Sequence, residues 1–200
     1  MIIVGTDYTP QEMLVIAGSR VLEDNKVVFV GTGLPMIATL LARKTHAPGI
    51  IAVFEAGAVG PTLDSGLPFS VGDSRTSSGA SYVRRFNKKL NYVTSPGYLD
   101  GSPEARKKAG LVGKGPYRVI TTKAILGFDD KTHRMKLLQT MPGETAVSVQ
   151  AATGFELLMD PDVTAFDPPA ETELRMIREV IDPLGFFVKK PQKTQVMEQF

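Results

Sequence analysis

Cysteine is absent from the 200-residue sequence, and only two histidines occur, His46 and His133. Without cysteine the chain can form no disulfide, no thiolate metal site and no cysteine nucleophile. The two histidines lie too far apart in the sequence to form a recognisable metal-binding motif, and we predict no metal site. Thiol and disulfide chemistry are therefore excluded.

The sequence also lacks a large net charge and a long apolar run. The 23 Lys and Arg residues against 21 Asp and Glu give a net charge of only +2, whereas nucleic-acid binding calls for a basic stripe. No run approaches the roughly 18 apolar residues that a membrane span needs. The first residues, 1–13, lack the basic start and apolar stretch of a signal peptide. We expect a soluble cytoplasmic protein with neither nucleic-acid nor membrane partners.

The composition is nevertheless that of a folded protein. With 42% hydrophobic and 22% charged residues, the chain can bury a proper core. Its length fits one domain, or one domain with a small annex. We predict a single domain over residues 1–188 and a loose polar tail over residues 189–200.

The first quarter of the chain predicts a strand–helix–strand crossover. Residues 9–12 (TPQE) combine a capping threonine, a proline and a capping-box glutamate, which is a typical helix start. The apolar runs 27–30 and 50–54 show no alternation, which is typical of strands buried on both faces. A second amphipathic helix, around residues 37–41, separates them. This order with short joints predicts an α/β fold with a mostly parallel sheet flanked by helices.

Both strands of such a crossover end at the same edge of the sheet, where ligands bind in parallel α/β folds. Each strand is followed by a short turn that contains glycine: Gly31, Thr32 and Gly33 after the first, and Glu55, Ala56 and Gly57 after the second. This arrangement predicts one carboxylate above a floor of backbone N–H groups. Two interpretations of Glu55 stay open at this point, a catalytic carboxylate and a solvated loop residue or helix cap.

The rest of the chain predicts an irregular segment and several short elements. Residues 57–79 are rich in Gly, Ser, Pro and Asp, and loops of this length are often functional. The predicted strands are 90–94, 117–122, 124–128 and 135–139, and the predicted helices are 102–110, 145–153 and 167–182.

Several motifs resemble the β subunits of family I coenzyme A-transferases. The stretch VVFVGTGLPMIA at Val27–Ala38, followed by IAVFEAG at Ile51–Gly57, is similar to that family's Gly-x-Gly-x-Pro turn, helix and strand ending in a nucleophilic glutamate. The glutaconate CoA-transferase branch is resembled most. Further matches keep the family's order over most of the chain: Thr45–Pro48, Ser70–Asp73, Tyr92–Gly97, Thr153–Glu156 and Ile177–Pro183.

The resemblance implies an open α/β fold and an activity. Glu55 falls on the nucleophile position, and Gly31, Gly33 and Pro35 fall on the loop beside it. The implied reaction moves coenzyme A between carboxylic acids, such as the short dicarboxylate glutaconate, through a glutamyl-coenzyme A thioester. Coenzyme A thioesters would be substrates, without a permanently bound cofactor, and an α subunit would complete the enzyme.

One departure from the family concerns length. Similar family members carry a considerably longer segment between the residues matching Ser70–Asp73 and Tyr92–Gly97, so an internal segment after Arg75 is lacking. Either the chain is a natural or engineered short form, or an internal stretch is missing from the sequence. The first rival function is an acyl-CoA hydrolase or decarboxylase on the same fold, although relatives with those activities have replaced the glutamate. The second is a shortened, inactive partner subunit.

Basic residues could contact the phosphates of coenzyme A, because Arg and Lys are their usual partners in proteins. The densest cluster contains Arg84 and Arg85, with Lys88 and Lys89 close behind. A solvated face is the alternative interpretation of this cluster. Residues 106–108 form a second basic run that we favour less.

Overall fold

The structure is a computed structural model in which residues 5, 7–54, 96–111 and 114–189 are described. These residues fall into two compact units. Residues 5, 7–54 and 168–189 form the first unit, and residues 96–111 and 114–167 form the second. The predicted single domain stays a prediction, and most of the predicted tail lies outside the described residues.

The first helix, α1 (Pro10–Val21), begins as the sequence predicts. The Thr9 hydroxyl accepts a hydrogen bond from the Glu12 backbone at 3.2 Å, and the Glu12 carboxylate accepts one from the Thr9 backbone at 2.8 Å. This reciprocal capping box satisfies two amide groups that a helix start otherwise leaves without partners. The predicted start of α1 is therefore confirmed.

The predicted crossover is also present in the first unit. Strand β1 (Val27–Val30) is followed by helix α2 (Leu34–Lys44) and strand β2 (Ile51–Phe54). The two strands pair in parallel, with Val27 opposite Ile51 and Val30 opposite Phe54. Both strands therefore end at the same edge of the pair.

The prediction that both faces of these strands are buried is wrong. Val30 and Ala52 lie in the core with only 1% and 3% of their surface exposed, whereas Val27 and Phe29 on the other face are both 69% exposed. Side chains alternate between the two faces of a strand, and α1, α2 and the last helix share one core with the inner face. An unbroken apolar run thus does not by itself distinguish one buried face from two.

The C-terminal end of the described chain completes this core. Helix α5 (Glu171–Arg175) continues into a π-helical segment (Met176–Ile181). Leu174, Ile177 and Ile181 recur at helical spacing, which predicts that they share one buried face, and all three are buried. The buried Asp182 ends the helix and accepts hydrogen bonds from three backbone N–H groups, those of residues 186–188.

An ion pair connects α1 to this C-terminal helix. The Arg178 guanidinium donates to both carboxylate oxygens of Glu12, at 2.6 and 3.0 Å. Glu12 is completely buried. Its carboxylate raises the pKa of Arg178 further above the usual arginine value. The first unit is therefore held together by contacts between its two distant stretches of sequence.

The second unit contains a four-stranded mixed sheet. Its strands follow the order β3 (Val119–Ile120), β4 (Ala124–Phe128), β5 (Met135–Thr140) and β6 (Leu158–Ala165). The β3–β4 and β4–β5 pairs are antiparallel, and β5–β6 is parallel. Two short helices, α3 (Ala105–Lys108) and α4 (Ala146–Ala151), belong to the same unit. Helices and a mixed sheet together give the predicted α/β class.

Strand β6 is an element that the sequence did not predict. Its centre reads Asp160-Pro161-Asp162, residue types that are depleted in strands. The pairing with β5 shifts register between Leu137 and Gln139, opposite this segment. Proline is tolerated at such an irregularity because no hydrogen bond from its backbone nitrogen to the neighbouring strand is needed there.

Candidate functional site

The candidate site lies at the edge where β1 and β2 end. Val30 and Phe54 are paired at this edge. The chain continues from Val30 into the Gly31–Gly33 turn and from Phe54 into Glu55. Glu55, Ala56 and Gly57 lie outside the described residues, and so do Arg84 and Arg85. The turn after β1 is the part of the predicted site that can be described directly.

Gly33 gives this turn its geometry. Its backbone adopts φ 95° and ψ −137°, a region that residues with a side chain rarely occupy. Gly33 is also the residue before the first turn of α2, and its carbonyl oxygen accepts from the amides of Met36 and Ile37 at 3.1 and 3.2 Å. A glycine at this position lets the chain pass from strand to helix within three residues.

The start of α2 has no side-chain cap. Gly33 supplies no side chain to cap the helix, and Pro35 occupies one of the first helical positions. Backbone N–H groups at a helix start carry a partial positive charge and can bind anions. Here Pro35 has no N–H and the Met36 and Ile37 amides donate to the Gly33 carbonyl, so the Leu34 amide is the one first-turn donor that these contacts leave over. The Gly31–Gly33 backbone was predicted from the sequence, whereas the Leu34 amide was not, although Pro35 marks the start of the helix in the sequence.

Thr32 adds a polar group to the same turn. Its hydroxyl oxygen is buried and has no hydrogen-bond partner among the described residues. A buried polar atom without a partner costs about 1–3 kcal/mol, and such atoms call for an explanation such as a ligand or an ordered water. The Thr32 hydroxyl and the Leu34 amide are groups that could stabilise an oxygen atom that develops negative charge.

Three further features of the described residues can be stated. Within these ranges, no group of three or more His, Asp or Glu side chains is arranged to hold a metal ion. His46, at the end of α2, lies 3.2 Å through its Nε2 atom from the Leu22 carbonyl oxygen, which agrees with a structural role. None of the described helices combines the length and apolar character that crossing a bilayer requires.

Comparison with known proteins gives sequence relatives over nearly the whole chain. No profile of a protein family matches. The B subunit of glutaconate CoA-transferase from Acidaminococcus fermentans is 29% identical over 265 residues, covering 95% of this chain and 98% of the relative. The B subunit of 3-oxoadipate CoA-transferase from Pseudomonas knackmussii is 27% identical, covering 86% and 92%. The first alignment is longer than the 200 residues of the chain, so that relative carries residues that are lacking here.

The structural comparison agrees with the sequence. The crystal structure of glutaconate coenzyme A-transferase from Acidaminococcus fermentans matches with a TM-score of 0.82 and 26% identity. The match covers 93% of this chain and 99% of the matched chain. The predicted open α/β fold of the CoA-transferase type is thus confirmed. In both sequence and fold, the chain is similar to the B subunits of coenzyme A-transferases, as its motifs indicate.

Proposed function

We propose that this chain is the β subunit of an enzyme that moves coenzyme A between carboxylic acids, with Glu55 as the nucleophile. The observation that carries the proposal is the parallel pairing of Val30 with Phe54, because one strand continues into the Gly31–Gly33 turn and the other into Glu55. The similarity to glutaconate and 3-oxoadipate CoA-transferase subunits supports the reaction class. Short dicarboxylates such as glutaconate are the proposed acids.

A carboxylate nucleophile divides a difficult transfer into easier steps. The Glu55 carboxylate attacks the thioester carbonyl of the donor and forms a mixed anhydride, which releases coenzyme A as a thiolate. The thiolate then attacks the glutamyl carbonyl, so that a glutamyl-coenzyme A thioester forms and the donor acid leaves as a carboxylate. The acceptor carboxylate repeats these steps in reverse and takes the coenzyme A away.

Each step passes through a tetrahedral oxyanion, which backbone N–H donors can stabilise. The proposed donors are the amides of the Gly31–Gly33 turn and of Leu34, with those of Ala56 and Gly57 from the other turn. The Thr32 hydroxyl is available for the same purpose. The reaction needs no permanently bound cofactor, since coenzyme A enters as a substrate, and Arg84 and Arg85 are proposed contacts for its phosphates.

The proposal includes an α subunit, since the relatives are B subunits by name. We expect the isolated chain to be inactive and to co-purify with a second subunit when the two are co-expressed. Transfer by the isolated chain at ordinary enzymatic rates, about 1–10³ s⁻¹, would contradict this part of the proposal. A fully active homo-oligomer would contradict it equally.

Trapping of the covalent intermediate tests the proposal as a whole. With acyl-CoA and no acceptor acid, the complex should accumulate the thioester on Glu55, and borohydride should reduce it and inactivate the enzyme. Enzyme treated with borohydride alone is the control, because an ordinary carboxylate is not reduced. Peptide mapping should place the modification in residues 50–60. A label on Glu12, Glu104 or Glu144 would identify another nucleophile.

A second candidate function, an inactive partner subunit, is favoured by the length comparison. The 265-residue alignment exceeds the chain, and the lacking residues could belong to the active-site wall. A purified chain of 21.6 kDa that assembles with its partner but shows neither transfer nor label would establish this alternative. Hydrolysis or decarboxylation without transfer would instead indicate one of the other activities, because a shared fold does not fix the reaction.

A further inference from the structure

We draw no further inference here: the strongest candidate, the outer face of the β1–β2 pair with its exposed Val27, Phe29 and Ile51 side chains, carries nothing because no feature of the described part of the chain shows what covers it.

Discussion

Val30 and Phe54 are partners at the last position of the parallel β1–β2 pair. The residue after Val30 is the first of the glycine turn, and the residue after Phe54 is Glu55. This relationship leads to predictions about the nucleophile and about the turn beside it. Others concern the ion pairs that stabilise each unit.

Replacement of Glu55 should remove transfer activity from the assembled enzyme. Glu55→Ala leaves no carboxylate and should abolish transfer. Glu55→Asp withdraws the carboxylate by about 1 Å, a displacement that reactive geometry does not tolerate, and the space gained should admit water. We expect Glu55→Asp to lose transfer and gain some thioester hydrolysis. Steady-state assays of the two products, with exposed Glu104→Ala as control, measure both effects, and undiminished transfer in Glu55→Ala would remove this residue from the mechanism.

The Thr32 hydroxyl should matter for catalysis and not for folding. Thr32→Val removes a buried hydroxyl without a partner among the described residues, so the free energy of unfolding should stay equal or rise by about 1 kcal/mol. Transfer should fall about 10²- to 10³-fold, the loss expected when one oxyanion donor is removed. Urea unfolding and kcat of each variant give the two readouts.

Thr39→Val is the matched control for this comparison. Thr39 lies in α2, is 4% exposed, and donates from its hydroxyl to the Pro35 carbonyl at 2.9 Å. Its replacement should cost about 1 kcal/mol of stability and leave kcat nearly unchanged. Equal kcat losses in both variants would mean that Thr32 acts only through packing.

The buried pair of Glu12 and Arg178 should be essential for the stability of the first unit. Arg178→Ala leaves the Glu12 carboxylate buried without its cation, which typically costs about 3–5 kcal/mol. The Glu12 carboxylate keeps its hydrogen bonds from Thr9 in this variant, so the loss of stability should lie at the lower end of this range. Arg175→Ala, at an exposed position of the preceding turn, should change stability by less than about 0.5 kcal/mol. Thermal unfolding compares the two, and similar melting temperatures would contradict the prediction.

The second unit should lose stability in acid partly through Glu144. Its carboxylate accepts from Lys123 at 2.5 Å and from Ser148 at 2.5 Å, and these contacts, Lys123 first, lower the pKa of Glu144. A lowered pKa in the folded state stabilises the fold above the ordinary carboxyl value, about 4.3. This stability is lost as the pH falls through the lower, folded-state pKa.

Glu144→Gln should therefore make the free energy of unfolding less dependent on pH in the acid range. At pH 7 the variant should be less stable by about 1 kcal/mol, and the difference should shrink steadily below about pH 4.3. Glu156→Gln is the control, because the Glu156 side chain is 85% exposed in its contact with Arg134 and exposed pairs contribute little. Urea midpoints across this pH range test the prediction, and a constant difference would contradict it.

Local signals in the sequence predicted much of the fold. The capping box of α1, the apolar strands of the crossover and the Asp182-Pro183 helix end depend on neighbouring residues, and each is present in the structure. Strand β6 was missed because it depends on pairing with β5, and its Asp160-Pro161-Asp162 centre opposes a strand locally. The exposure of Val27 and Phe29 depends on which helices cover the sheet, and a short apolar run does not contain that information.

The candidate site was predictable in part. Parallel strand order brings the two turns to one edge, and this follows from the sequence pattern alone. The positive φ of Gly33, the lack of a side-chain cap on α2 and the Thr32 hydroxyl without a partner among the described residues required coordinates. Glu55, Arg84 and Arg85 lie outside the described part of the chain, and their roles stay predictions.

The contact between Glu12 and Arg178, 166 residues apart, has a consequence for biosynthesis. At about 5–20 residues per second, a ribosome needs roughly eight to thirty seconds to proceed from α1 to the π-helical segment. During that interval the nascent N-terminal half cannot close its core against Leu174 and Ile177. A chain that ends before residue 171 would therefore lack the helix that completes the core of α1 and α2. These two helices would then be targets for chaperones and proteases.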